Sequence, residues 1–172
     1  VETLMGVGWG YTNPAAVLLI ERDSDDNYWI MWEWYKTGKT TSEIIEYIAS
    51  FAVNAYYPDP AEPDRIEMMR RAGLHVKEVN KDVIAGIDAV RELFKNGKIK
   101  IHKGCQILIN ELETYCYEDK KPNKNVPEKP IKENDHGLDA LRYCLFKQAS
   151  KKKKRAVSQF IPNYLEHGYT TR

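Results

Sequence analysis

The sequence predicts an α/β fold built on a mixed sheet, an antiparallel meander followed by β-α units, with helices on both faces. Two observations carry this. The first 35 residues hold three runs rich in β-branched and aromatic residues, separated only by short polar breaks, and connections that short force antiparallel pairing. From Thr40 onward the apolar spacing lengthens to the helical period, with brief strand-like runs between helices, and that alternation yields a sheet covered on two sides.

Taken in order, the strands are Leu4 to Trp9, Ala15 to Glu21 and Tyr28 to Tyr35. Asn13-Pro14 separates the first two, and the polar run Asp23 to Asn27 turns into the third. Thr40 and Glu43 have capping-box spacing, and Ile44, Ile45, Ile48, Phe51 and Ala52 form the apolar stripe of the helix they begin. A short strand at Asn54 to Tyr57 ends at Pro58-Asp59-Pro60, and Pro63 opens a helix with Ile66 and Met69 inward, closed by Gly73. His75 to Val79 reads as a strand. Asp82 caps a helix with Val83, Ile87, Val90 and Phe94 on one face, stopped by Gly97; Lys98 to His102 is a strand; Leu108, Leu112 and Tyr115 mark another helix. Glu118 to Glu133, with three prolines, reads as a loop or hairpin. Asn134 caps a final helix lined by Leu138, Leu141 and Leu145. Residues 1–149 are expected to form one domain and 150–172 a basic, partly ordered tail.

Several function classes are restricted by composition. The net charge is +1, from 26 basic and 25 acidic residues, so nucleic-acid binding cannot rest on a global basic field. A local one exists: Lys147 to Arg155 holds six positive charges and no acid, and Lys151, Lys152, Lys153, Lys154 and Arg155 are candidate phosphate contacts. No apolar run reaches transmembrane length, and neither end reads as a signal peptide. Three widely spaced cysteines make neither a disulfide framework nor a zinc pair, which fits a reducing cytoplasm. Val1 opening directly into strand-like sequence suggests a piece of a longer protein.

Two clusters could carry chemistry. Asp59 follows a short apolar strand and precedes a helix, the position from which side chains enter the ligand crevice of an open sheet; a turn aspartate between prolines is the plainer reading. In Asn134-Asp135-His136-Gly137-Leu138-Asp139, helical spacing puts Asp135, His136 and Asp139 on one side, opposite the leucine stripe. Two carboxylates and an imidazole suit a hard divalent cation, and acids at a helix start equally suit N-capping. Hydrolysis of a phosphodiester by two metal ions needs acids converging from separate elements. Asp59 and Asp139 could supply two corners, with a third expected in the first strand. Gly38-Lys39-Thr40 is a decoy: a phosphate-binding loop would need glycine where Glu33 stands.

Met5 to Ala15 (MGVGWGYTNPA), Tyr57 to Pro63 (YPDPAEP) and Asn134 to Tyr143 (NDHGLDALRY) resemble, in order, three motifs of the C-terminal nuclease domain of the tailed-bacteriophage terminase large subunit, in the ribonuclease H-like superfamily. Lys81 to Ala89 resembles the segment before that family's penultimate helix. The resemblance implies a metal-dependent endonuclease of the viral genome-packaging motor, cutting concatemeric DNA with two Mg²⁺ or Mn²⁺ ions. Asp59, Asp139 and His136 would be catalytic, and Asp59, Asp139, Asp135 and His136 would hold metal. Implied partners are double-stranded DNA, an N-terminal ATPase domain of the same polypeptide, the portal protein and the small terminase subunit, in the cytoplasm of an infected bacterial host. One departure stands out: Gly8 occupies the first-strand position where the family carries a metal-bridging aspartate. Either the position is substituted and activity impaired, or another carboxylate such as Glu33 serves. Competing readings are a catalytically inactive DNA-gripping domain of the motor and a ribonuclease H-like junction resolvase.

Overall fold

The computed structural model describes residues 1–118 and 135–159, with side chains described through residue 115 and from 135 to 149. Strands β1 (Glu2–Gly8), β2 (Ala15–Arg22) and β3 (Tyr28–Lys36) form the expected meander. Helix α1 (Thr41–Ala49) crosses back to β4 (Ala55–Pro58), which pairs parallel with β1. Helices α2 (Pro63–Arg71) and α3 (Val83–Lys95) follow, then β5 (Ile99–Ile101), α4 (Gln106–Glu118) and α5 (His136–Gln159). The sheet order is β4-β1-β2-β3-β5, with β5 parallel to β3, so both edge strands arrive by crossovers.

Alternation along the strands sorts side chains onto the two faces. Leu4, Leu18, Ile20, Tyr28, Ile30 and Tyr57 pack with α3, α4 and α5, where Leu93, Leu108, Leu141 and Leu145 are buried. Met5, Val7, Val17 and Tyr56 pack on the other side with Ile44, Ile45 and Ile48 of α1 and Met69 of α2. Trp32 and Trp34 also face that side, Trp34 stacked on Tyr47 at 5.1 Å and Trp32 5.0 Å from Phe51. A register shift at Leu19/Ile20 lets β3 carry one extra residue, and Met31 is exposed there.

Local signals place the elements well. The Thr40/Glu43 capping box is complete, and Gly38 takes the left-handed φ of +67° that turns the chain into it. Asp82 caps α3 through Ala85 N, and Gly73 and Gly97 adopt positive φ just past α2 and α3.

Three expectations need correction. His75 to Val79 is no strand; it contributes one parallel bridge, Val76 to Tyr56, beside a four-residue β4 whose Pro58 has no N–H to donate. Helix α3 buries Gly86 and Leu93, while Val83 is exposed: without a side chain, Gly86 lets Arg142 lie against the helix. Phe51 and Ala52 lie beyond the end of α1. The expected loop at Glu118 to Glu133 falls, apart from Glu118, outside the described residues, as does Asn134. Helix α5 runs unbroken through Lys151 to Arg155, so the expected boundary near residue 149 falls within it.

Candidate active site

Period two along β4 puts Asp59 on the same face as Tyr57, the face covered by α5. Its backbone N–H donates to Val7 O at 2.9 Å, continuing the β1–β4 ladder, so Asp59 lies alongside Gly8. One carboxylate oxygen accepts from Ala61 N at 2.9 Å, the turn contact expected of an aspartate set between prolines.

Gly8 shares the Leu4 and Gly6 face, beneath the start of α5. A Cβ at Gly6 would stand 2.1 Å from Ala140 O, so that position admits no side chain while α5 stays where it is. A Cβ at Gly8 would meet His136 O at 3.3 Å and Ala140 Cβ at 4.0 Å, tight but within reach of a small adjustment. Packing therefore demands glycine at position 6 and not at position 8.

Helix α5 supplies the third element. Asp139 stands in its first turn, its carboxylate bonded to Arg142 Nη2 at 2.8 Å. Burial holds the Asp139 carboxyl above the usual range, Arg142 opposes this, and the Asp135 and Asp59 carboxylates add to the rise. Arg142 is itself buried and lies 4.7 Å over the Tyr143 ring. The Tyr143 hydroxyl, pushed up chiefly by burial and further by Asp139 and Asp59, sits beside the Asp59 carboxylate.

The Asp135 and Asp59 carboxylates are thus near enough to be felt at Asp139, and the His136 carbonyl overlies Gly8. Among the described residues, however, no three His, Cys, Asp or Glu side chains gather into a group that could hold a metal ion. The expected four-ligand set is not drawn together, because Asp139 leans on Arg142, Asp59 on Ala61 N, and Gly8 offers no donor. As it stands this donor set does not fit a two-ion centre. Glu33 is no substitute: its two carboxylate oxygens accept from Ile107 N and Leu108 N, each at 2.9 Å, at the start of α4. The Lys151 to Arg155 side chains lie outside the described ones.

Sequence reasoning missed one residue. Glu111 of α4 is buried, and one of its carboxylate oxygens accepts from Gly137 N at 2.9 Å and Leu138 N at 3.0 Å, at the start of α5. Burial pushes its carboxyl up to about 7, opposed by those two N–H donors. A glutamate between Asn110 and Leu112 in an amphipathic run gives no sign of this, because its partner lies 26 residues further along the chain.

Comparison with known proteins agrees with this architecture. Residues 11–147 match the model of the terminase RNAseH-like domain. The large terminase subunit of Escherichia phage T5 is 31% identical over 153 residues, 84% of this chain and 35% of that protein. The chain spans about a third of the length of the curated relatives it matches. Among solved structures, the large terminase of a thermophilic bacteriophage, in complex with ATP-gamma-S, superposes with a TM-score of 0.69 at 22% identity, covering 83% of this chain and 38% of that one. The large-terminase nuclease domain of bacteriophage SPP1 with bound Mn gives 0.67 at 18% identity, with 86% of each chain covered. With the family model spanning most of the chain and a T5 relative above 30% identity, this protein belongs to the terminase RNase H-like domain family.

Proposed function

We propose that this domain is a DNA endonuclease of a viral genome-packaging motor whose site lacks one ligand, so that the chain as it stands hydrolyses DNA slowly or not at all. The observation that carries this is the placement of Asp59 at a strand end beside Gly8 and of Asp139 in the first turn of the helix above it, Gly8 being a position where a Cβ needs only a small adjustment. With an aspartate restored at position 8, oxygen donors from separate elements would suit Mg²⁺ or Mn²⁺, which would supply activation of water and stabilisation of the leaving oxygen. Aspartate at position 8 would project beneath the first turn of α5, toward both acids, and complete three corners. In this reading Asp59 and Asp139 are metal ligands, His136 a ligand or proton handler, and Asp135 an outer carboxylate. The substrate is concatemeric double-stranded DNA, and residues 1–149 form the nuclease unit. Lys151, Lys152, Lys153, Lys154 and Arg155 add phosphate contacts. An ATPase domain, portal and small terminase subunit are its partners in an infected host's cytoplasm.

One feature favours a second reading, a DNA-gripping domain without catalysis: the Gly8 gap itself. Such a domain would bind DNA without metal and lose affinity steeply with salt.

Nicking of supercoiled plasmid with Mn²⁺ separates the two. The chain itself should be nearly inactive, Gly8→Asp should nick, and Gly8→Asp combined with Asp139→Ala should not. Were Gly8→Asp also silent with every divalent metal, while metal-independent DNA binding persisted, the gripping reading would replace the nuclease one.

A further inference from the structure

We propose that Glu111 is a positioning residue of this site: from α4 it clamps the first turn of α5 and so sets where His136 and Asp139 stand above β1 and β4. The proposal rests on the nuclease reading for the purpose of that placement, but its geometry is independent of it.

A helix start exposes N–H groups that need acceptors, and the residue just before the helix usually supplies one. For α5 the acceptor comes from another helix. A single Glu111 oxygen takes both Gly137 N and Leu138 N, and the carboxylate is buried where water cannot replace it. The seat is close-fitting. A Cβ on residue 137 would stand 1.8 Å from the Tyr35 hydroxyl and 3.0 Å from the bonding Glu111 oxygen, so Gly137 lets the helix start close onto β3 and α4 together.

Glu111 is in turn fixed to the sheet. Glu33 of β3 bonds the α4 start through Ile107 and Leu108, and Glu111 lies one turn after Ile107. Two carboxylate clamps therefore run in series, from β3 to α4 and from α4 to α5. The element they hold at the far end is the one whose His136 carbonyl overlies Gly8 and whose first turn carries Asp139. Through this route a rigid sheet can locate Asp139 although residues 119–134 separate α4 from α5 in sequence. Outer residues that orient metal ligands typically change metal affinity or activity by about 10–100-fold when lost.

The test uses the full chain carrying Gly8→Asp, alone and with Glu111→Gln, Glu111→Asp or Glu111→Ala. Thr40→Ala, which removes the cap of α1 away from the site, is the control for simple destabilisation. Mn²⁺ affinity, kcat and KM for plasmid nicking, and hydrogen exchange of residues 136–140 are measured below the melting transition. Glu111→Ala should weaken Mn²⁺ binding and lower kcat by roughly 10–100-fold with KM for DNA unchanged. Its α5-start amides should exchange faster. Glu111→Gln, whose amide oxygen can occupy the same place, should restore most of both. A Glu111→Ala protein that matches the Thr40→Ala control in Mn²⁺ affinity, kcat and exchange overturns the proposal. If Glu111→Ala does not fold, Glu111→Asp decides: retracting the carboxylate by one methylene should weaken Mn²⁺ binding, and unchanged binding overturns the idea. Should Gly8→Asp bind no Mn²⁺ and cut nothing, the nuclease reading fails. Exchange then judges Glu111: faster exchange in Glu111→Ala but not in Glu111→Gln supports the clamp, and unchanged exchange removes it.

Discussion

Gly6 and Gly8 lie two residues apart on one face of β1, under the same helix, and the structure assigns them opposite tolerances. Alanine at position 6 drives its methyl to 2.1 Å from Ala140 O and 2.9 Å from its carbonyl carbon. Both are backbone atoms in the middle of a helical turn, so no rotamer change relieves the overlap; α5 has to lift from the sheet or β1 has to buckle. Overpacking a core costs typically 1–3 kcal/mol where side chains can yield, so about 3 kcal/mol or more is expected where only backbone can. At about 2–4 °C per kcal/mol for a domain of this size, the melting temperature should fall by roughly 6–12 °C. At position 8 the nearest atom is His136 O at 3.3 Å, and a few tenths of an ångström suffice. Alanine there also relieves the cost of glycine in a strand, about 0.5–1 kcal/mol, so Gly8→Ala should lie within about 1 kcal/mol of the parent. Urea denaturation of the parent, Gly6→Ala and Gly8→Ala measures both. If the two substitutions cost the same, or position 8 costs more, α5 does not pack on β1 in this register. The inference that Gly8 is free to be an acid then falls with it.

Other perturbations follow from the same geometry. The Glu111 carboxyl, raised from the ordinary 4.5 to about 7, makes folding bind a proton between those values, so stability should fall as pH rises from about 4.5 to 7. At about 1.4 kcal/mol per pH unit the loss is roughly 3–4 kcal/mol. Asp135 pushes in the same direction as burial, whereas Tyr35 opposes it; a Glu111→Gln protein whose stability follows the parent's pH profile would contradict the assignment. Arg142→Ala removes the partner of Asp139 and the side chain packed on Gly86; with Asp139 partly exposed, a loss of about 1–3 kcal/mol is expected by thermal melting. An unchanged melting temperature would show that the Arg142 side chain does not hold α5 to α3. Thr40→Ala should cost about 1 kcal/mol, because it breaks both halves of the α1 capping box.

Much of the fold was legible because it is written in local chemistry. The meander appears in the β-branched and aromatic runs to Tyr35, α1 in the Thr40/Glu43 box, and α2 in Pro63. What was not legible depends on partners far away in sequence. Val83 reads as an inward residue on periodicity, yet Gly86 faces Arg142, and only the packed helices reveal that the small residue lies on the contact line. His75 to Val79 has strand composition, but a strand needs an edge to extend, and β4 is too short to offer one.

The site divides in the same way. Asp59 and Asp139 could be singled out because a strand end and a helix start are local features. Glu33 and Glu111 could not, because a carboxylate's role depends on which N–H groups it meets. Glu33, a conceivable substitute ligand in the sequence, meets the start of α4; Glu111, unremarked there, meets the start of α5. Those assignments bear on the ligand that the nuclease reading lacks. With Glu33 and Glu111 both committed to helix starts, neither can turn to the Gly8 gap without uncapping the helix it holds. Freeing Glu33 would leave Ile107 N and Leu108 N without acceptors, at about 1–3 kcal/mol for each one that water does not reach. The Cβ of an aspartate at position 8 requires only a few tenths of an ångström. Restoring the ligand in β1 is thus the smaller change, and Gly8→Asp, rather than any rearrangement of the remaining acids, is the substitution on which the nuclease reading turns.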